Sequence, residues 1–201
     1  MENSLISRAV EKISSAKDLL EKSMSLCGLV SALFSEAGHE LVVVGGSAIE
    51  FYTEGSYMSG DVDLCRLSGK IVPMRLQQEI MGRLGGVGGP RSWKVCGLFI
   101  DLLGRIEKDS KAPYRELQTE FGIVRLVPVE ELLVERILIA VYPQPNPEAD
   151  LCARKLMVRC LSGTLDVDWN EVERLAKDPC YGVKDALYRL RTEVSRELDK
   201  K

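Results

Sequence analysis

The sequence predicts an α/β fold: a small mixed sheet carrying acids on one face, helices packed behind it, and a helical C-terminal part. Three observations predict it. Segments with strand character near 41–45, 61–67, 93–103 and 121–127 alternate with helical patterns too regularly for an all-helical bundle. The β-branched run Leu41-Val42-Val43-Val44 stops at Gly45-Gly46-Ser47 and passes into a short helical pattern, which reads as strand, tight turn and helix N-terminus. From Glu148 onward the apolar residues recur at helical spacing only.

Size and composition bound what this fold can serve. A chain of 201 residues holds one good core, or a catalytic part with a helical appendage. With 45% hydrophobic and 28% charged residues it has the composition of a globular protein, not a disordered or membrane one. The longest apolar stretch, 126–142, is interrupted by Glu130, Glu131, Glu135 and Arg136, so no membrane span is expected. Met1-Glu2-Asn3-Ser4 is not a basic n-region before an apolar run, and the cytoplasm is the expected location. A net charge of −3 exerts no global pull on nucleic acid, so a polynucleotide substrate would need a local basic patch. The six cysteines form no C-x-x-C pair and sit mostly in apolar patterns, as buried reduced thiols do.

In chain order, residues 4–22 place Leu5, Ile6, Val10, Ile13, Leu19 and Leu20 near helical spacing, and a second helix is predicted over 24–37, ended by Gly38. His39, the lone histidine, reads as an exposed turn residue at the entry to the first strand rather than as a base. After the short helix beginning near Ala48, Gly55 and Gly60 let the chain turn back so that the strand at 61–67 pairs beside the first. A helix over 73–84 opens with Pro73 and stops at Gly85-Gly86. The run Gly85-Gly86-Val87-Gly88-Gly89-Pro90 has neither a preceding strand nor a following Lys-Ser or Lys-Thr, so it reads as a hairpin or helix-to-strand loop instead of a phosphate cradle. Residues 93–103 read as one strand bent at Gly97. Pro128 opens a helix reaching about Val141, and Tyr142-Pro143-Gln144-Pro145-Asn146-Pro147 is a linker ending in a cap and first-turn pair. The boundary is placed there, 1–145 against 146–201, with helices predicted over 151–161, 169–177 and 183–198.

Chemistry concentrates on three acids. In a strand, Asp61 and Asp63 leave one face while Val62 and Leu64 leave the other, and two adjacent carboxylates repel unless a cation lies between them. Asp101 is a single acid inside Leu98-Phe99-Ile100-Asp101-Leu102-Leu103; in a buried strand it is costly without a partner or a metal, and a divalent ion shared with Asp61 and Asp63 supplies one. The bare N–H groups of the Gly45-Gly46-Ser47 turn suit an anion. A second Asp-x-Asp, at Asp166-Val167-Asp168, is explained otherwise: Asp168 stands three residues before Glu171 at the start of an apolar-periodic segment, close to a capping box.

The Gly-Gly-Ser turn, the Asp-x-Asp strand and the later single Asp together resemble the nucleotidyltransferases of the DNA polymerase β superfamily, and most of all its small stand-alone members, including the nucleotidyltransferase toxins of toxin-antitoxin pairs. The resemblance covers residues from about 26 to about 140. It implies that Asp61, Asp63 and Asp101 are catalytic and bind two Mg²⁺ ions, with Mn²⁺ as an alternative, and that Gly45, Gly46 and Ser47 hold the triphosphate by backbone and hydroxyl donors. Arg136 stands where these relatives usually carry a lysine, and is assigned to the nucleotide. Tyr57 replaces an arginine common four residues before the first Asp, and Ser59 replaces a threonine two before it. The implied activity moves a nucleoside monophosphate from a nucleoside triphosphate to a hydroxyl on an RNA 3′ end, a protein or a small molecule, with ATP, CTP and UTP unranked. A toxin of this type would have a cognate antitoxin. The alternative is a catalytically degenerate module of the same fold that binds a nucleotide or a partner. Lys94, Arg136, Arg154 and Lys155 are candidates for phosphate or acceptor contacts, and Arg154, Lys155 and Arg159 would form a stripe on one helix.

Overall fold

The computed structural model describes residues 2–200 and divides into two compact units, each assembled from several stretches of chain. The first comprises the chain up to Phe51 with 58–107 and 115–126; the second comprises 52–57, 108–114 and the chain from Val127. The helix that the sequence assigns to the first domain, α5 (Val129–Val141), groups with the helices that follow it. No helix among the described residues is long and apolar enough to cross a membrane.

The first unit holds α1 (Asn3–Ser15), α2 (Leu19–Glu36), most of α3 (Gly45–Tyr52), α4 (Met74–Arg83) and, among the described residues, a seven-stranded mixed sheet. Its strands are β1 (Leu41–Val43), β2 (Asp61–Arg66), β3 (Val87–Gly88), β4 (Ser92–Val95), β5 (Leu98–Arg105), β6 (Arg115–Gln118) and β7 (Ile123–Leu126). They lie in the order β3-β4-β5-β2-β1-β7-β6, with β2 parallel to β5, β1 parallel to β7 and the other neighbours antiparallel. Val62, Leu64, Ile100, Val42 and Leu126 are buried, as are Leu26, Leu29, Val30 and Leu33 of α2, the helix that packs on β1 and β7. Gly28 and Gly122 make that packing close: a Cβ on Gly122 would stand 2.5 Å from the Gly28 carbonyl oxygen, and one on Gly28 would stand 2.0 Å from Thr119 Oγ1.

Several sequence expectations are corrected here. The helix read over 4–22 is two, because the Asp18 carboxylate accepts the Glu21 N–H at 2.7 Å and caps a new start at Leu19. The strand read over 93–103 is a hairpin: Cys96 (φ 52°) and Gly97 (φ 83°) are both left-handed, the geometry a two-residue hairpin turn needs. A cysteine at such a position gives no signal. β6 was missed because Arg115-Glu116-Leu117-Gln118 lacks both strand propensity and a buried face; it exists through its ladder to β7. His39 is buried, not exposed, and desolvation, followed by Lys70 and Arg66, pulls its imidazole below the ordinary range. All six cysteines are free thiols, with Cys27, Cys152 and Cys160 buried and Cys180 exposed.

The second unit contains α5, α6 (Pro147–Leu161), α7 (Trp169–Lys177) and α8 (Lys184–Leu198). Asn146 caps α6 by accepting from the Glu148 and Ala149 N–H groups, as its Asn-Pro sequence predicts. Asp168 caps α7 through the Asn170 and Glu171 N–H groups, which disposes of the second Asp-x-Asp as a metal candidate. The return half of a capping box is absent, because Glu130 accepts the Asp168 N–H while Glu171 accepts from Arg174 and the Lys111 N–H. Two buried glutamates fasten the segment 108–114: Glu131 accepts the Asp109 and Ser110 N–H groups, and Glu171 the next one.

Arg174, with help from the Lys111 N–H, holds the Glu171 carboxyl down at about 2, below the ordinary 4.5. A depressed folded-state value means the stabilisation is fully present above pH 4.5 and is lost as pH falls through about 2. Glu171→Gln is therefore expected to be less stable than wild type near neutrality and to lose less of its stability across that acid window. Urea midpoints at a series of pH values measure this, and parallel curves for the two proteins would contradict it.

Candidate active site

The acids are brought together by the β2–β5 ladder. Asp63 pairs in register with Asp101, and Asp61 precedes Asp63 by two positions on the same face, while Val62 and Ile100 point into the core. One carboxylate oxygen from each of Asp61, Asp63 and Asp101 lies within 4.8 Å of the others. Asp61 is exposed and the other two half-buried. Asp101 is thus not in a strand buried on both faces: its neighbour Phe99, on the same face, is 48% exposed. The cost of burying Asp101 alone does not arise, and the repulsion of three clustered carboxylates takes its place as the sign of a cation site.

The Gly-Gly-Ser turn is where the sequence places it. β1 ends at Val43, the Val44 N–H donates to the Asp63 carbonyl at 3.1 Å, and left-handed Gly45 (φ 62°) opens α3. Ser47 is fully buried; its hydroxyl donates to the Asp61 carbonyl at 2.9 Å and accepts the Asp63 N–H at 2.9 Å. The hydroxyl that the resemblance assigns to the triphosphate is therefore engaged with the backbone of β2, and its action is to pin the Asp-x-Asp strand against the start of α3. The N–H groups of the first turn of α3, from Gly45 to Ser47, have no partner within the helix and are the groups left for an anion. Ser47→Ala leaves the part-buried Asp63 N–H and Asp61 carbonyl without this partner, and a loss of about 1–3 kcal/mol is expected in urea unfolding. A change within about 0.5 kcal/mol, the size of an ordinary surface substitution, would show that the bridge contributes nothing.

Glu50 was missed as part of this arrangement, and Ser59, named only as a replacement for a threonine, turns out to join it to Asp61. Glu50, on α3, is buried and accepts the Ser59 N–H at 2.8 Å, while the Ser59 hydroxyl stands 3.2 Å from Asp61 Oδ1. Desolvation raises the Glu50 carboxyl above the usual carboxylate range. The signal was present in the sequence, since Glu50 is the one charged residue in Ala48-Ile49-Glu50-Phe51-Tyr52, the same anomaly that singled out Asp101.

The remaining candidates lie in the second unit, apart from Lys94, which stands on β4 with its Nζ 5.7 Å from the centre of the Phe99 ring. Arg136 is in α5, its Nε buried without a hydrogen-bond partner. Tyr57, at the place of the relatives' arginine, has its hydroxyl 3.4 Å from Glu148 Oε1; burial and then Cys152 push the phenol up to about 12, so it is neutral. The stripe expected from Arg154, Lys155 and Arg159 is already paired. Arg154 meets Asp150, Glu193 and Glu197, Lys155 donates to the Ser56 carbonyl, and Arg159 meets Glu54. Spacing showed the cations sharing a face but not the acids facing them.

No sequence model of a known family matches the chain, and no curated protein matches it. Solved structures do. An antigenic nucleotidyltransferase-like protein from Paracoccidioides brasiliensis superposes with a TM-score of 0.57 at 14% identity, over 88% of this chain and 94% of that one. The antibiotic-resistance factor ANT(2'')-Ia in its solution structure gives 0.49 at 16% identity, over 86% and 94%. The crystal structure of ANT(2'')-Ia in complex with adenylyl-2''-tobramycin gives 0.48 at 18% identity, over 73% and 90%. The first of these likenesses establishes the class: the chain has a nucleotidyltransferase fold. Within that fold the Asp-x-Asp strand and the third acid stand side by side in the sheet.

Proposed function

We propose that the protein transfers a nucleoside monophosphate from a nucleoside triphosphate to a hydroxyl acceptor, with Asp61, Asp63 and Asp101 as its catalytic residues. The observation that carries this reading is the convergence of three carboxylates on the solvent face of a nucleotidyltransferase fold. Hard carboxylate donors in that number fit Mg²⁺, or Mn²⁺, and poorly fit softer metals. When bound, such ions neutralise phosphate charge and stabilise the entering and leaving oxygens of an in-line displacement. Asp61 and Asp63 would hold the metal on the triphosphate side and Asp101 on the acceptor side, where its carboxylate also takes the proton of the attacking hydroxyl. The N–H groups at Gly45 and Gly46 orient the phosphates, and Ser47 keeps β2 in place. Arg136 is assigned to the nucleotide by the resemblance alone, and the division of the chain into a nucleotidyltransferase-like part, 1–145, and a helical part, 146–201, rests on the proline-rich linker between them. As the bond from acceptor oxygen to α-phosphorus forms, the bond to the leaving pyrophosphate breaks.

A cytoplasmic location belongs to the same proposal, and a cognate antitoxin rests on the resemblance alone. The test is incubation with each labelled triphosphate, Mg²⁺ and total cellular RNA or protein, followed by separation of products. Label in RNA supports the toxin-like reading, and label in protein a protein-modifying enzyme. No label in RNA, protein or small molecules, combined with calorimetric triphosphate binding that needs no metal, would replace transfer by the binding module.

A further inference from the structure

The short helix α3 meets the chain around Asp61 through two of its own side chains. Ser47 bonds the Asp61 carbonyl and the Asp63 N–H, each at 2.9 Å, and Glu50, one turn later on the same face, accepts the Ser59 N–H at 2.8 Å. An i, i+3 pair on one helix thus fastens every second residue from 59 to 63. Glu50 is 2% exposed and stands among Ala48, Ile49, Phe51 and Tyr52, all buried. A carboxyl so deep is costly without hydrogen bonds, and this one is directed at the residue that touches Asp61.

The Ser59 hydroxyl donates to Asp61 Oδ1 at 3.2 Å, and among the described residues this is the one hydrogen bond that the Asp61 carboxylate accepts. Asp61 is exposed, and a carboxylate in water turns readily about its last torsion. A hydroxyl on one oxygen opposes that rotation and leaves the other oxygen for a cation. The hydroxyl is itself placed through its backbone, because Glu50 grips the N–H of the same residue. Gly60, between Ser59 and Asp61, adds no side chain to stiffen the approach. A cavity of about 40 Å³ lies at this corner, lined by Glu50, Ser59 and Asp61 and walled by Leu19, Met58 and Leu98. Apolar walls lower the local dielectric, which strengthens the hydrogen bonds beside them.

We propose that Glu50 is a positioning residue of the acid site, acting through Ser59 to fix the Asp61 carboxylate for its cation. This rests on the reading of the three acids as a metal site in the transfer activity proposed above, and adds a residue that touches neither metal nor substrate. Removing a group that orients a metal-ligating carboxylate typically costs about 10–100-fold in metal affinity or activity. The order of the contacts makes the assignment specific. Glu50 acts only through Ser59, so losing both contacts costs no more than losing one. Its part is that of a hydrogen-bond acceptor and not of a charge, so glutamine, which offers a carbonyl oxygen at the same place, serves in its stead.

The test titrates the full chain with Mn²⁺ alone, following the free ion by electron paramagnetic resonance, with thermal melts in a chelator as the check on folding and pyrophosphate release from the triphosphates measured alongside. Glu50→Ala and Ser59→Ala are each expected to weaken Mn²⁺ binding about tenfold or more, while Glu50→Gln binds as the wild type does. The double variant Glu50→Ala/Ser59→Ala should stay within about twofold of the weaker single one. Ser59→Ala keeps the N–H that Glu50 holds, so it gives a reading even where Glu50→Ala does not fold. The assignment is overturned if the wild type binds no Mn²⁺, if Ser59→Ala binds it as the wild type does, if the two losses multiply, or if Glu50→Gln loses as much as Glu50→Ala. Pyrophosphate release by the wild type together with variants of unchanged Mn²⁺ affinity would overturn the positioning role and leave the transferase. Mn²⁺ binding that depends on Glu50 and Ser59 in series, with no pyrophosphate released, would keep the positioning role and remove the transferase.

Discussion

In the presence of Mg²⁺, Asp61→Ala and Asp101→Ala are each expected to incorporate nucleotide about a thousandfold more slowly than the wild type, or not at all, and to melt no earlier. Losing a ligand that positions a catalytic divalent ion forfeits several kcal/mol of transition-state stabilisation, and each 1.4 kcal/mol or so is tenfold in rate. Stability should move the other way or not at all. Three carboxylates within 4.8 Å of one another repel in the metal-free protein, and neutralising one relieves that repulsion. Metal linkage gives an independent readout: Mg²⁺ should raise the Tm of the wild type by mass action, and the shift should shrink in both variants. Unchanged turnover in Asp61→Ala would refute the site, and an undiminished Mg²⁺ shift would place the metal elsewhere.

Ile100→Ala is expected to cost about 2–5 kcal/mol in urea unfolding with an unchanged slope, because it empties a fully buried position on the core face of β5. Phe99→Ala, one residue away, should change stability by no more than about 0.5 kcal/mol, since it removes a ring from the solvent face. The pair decides which face of β5 is core. If Phe99→Ala proved as destabilising as Ile100→Ala, the ring would be packed rather than presented.

Where the sequence was legible, it was so through local chemistry. Alternation in Asp61-Val62-Asp63-Leu64 put both acids on one face, glycines marked the start of α3, and Asn146 and Asp168 announced their helices by capping. Elements whose existence depends on a partner strand were invisible. β6 has a sequence that no propensity would choose, and the hairpin at Cys96-Gly97 turns on a cysteine in a left-handed conformation. Residues that look alike in sequence also separated. Ser47 reads as a phosphate donor until its hydroxyl is seen between Asp61 and Asp63, and Arg154 reads as a free cation until Asp150, Glu193 and Glu197 surround it.

The sequence by itself determined the α/β class, the Asp-x-Asp strand behind a Gly-Gly-Ser turn, and the helical tail, because periodicity, turn chemistry and caps act over a few residues. Only the tertiary structure decided that Asp101 stands beside Asp63 and that Phe99 and Lys94 extend their face. Strand order and register join residues some forty positions apart, and a slip of one residue would have turned Asp101 into the core and Ile100 out to water.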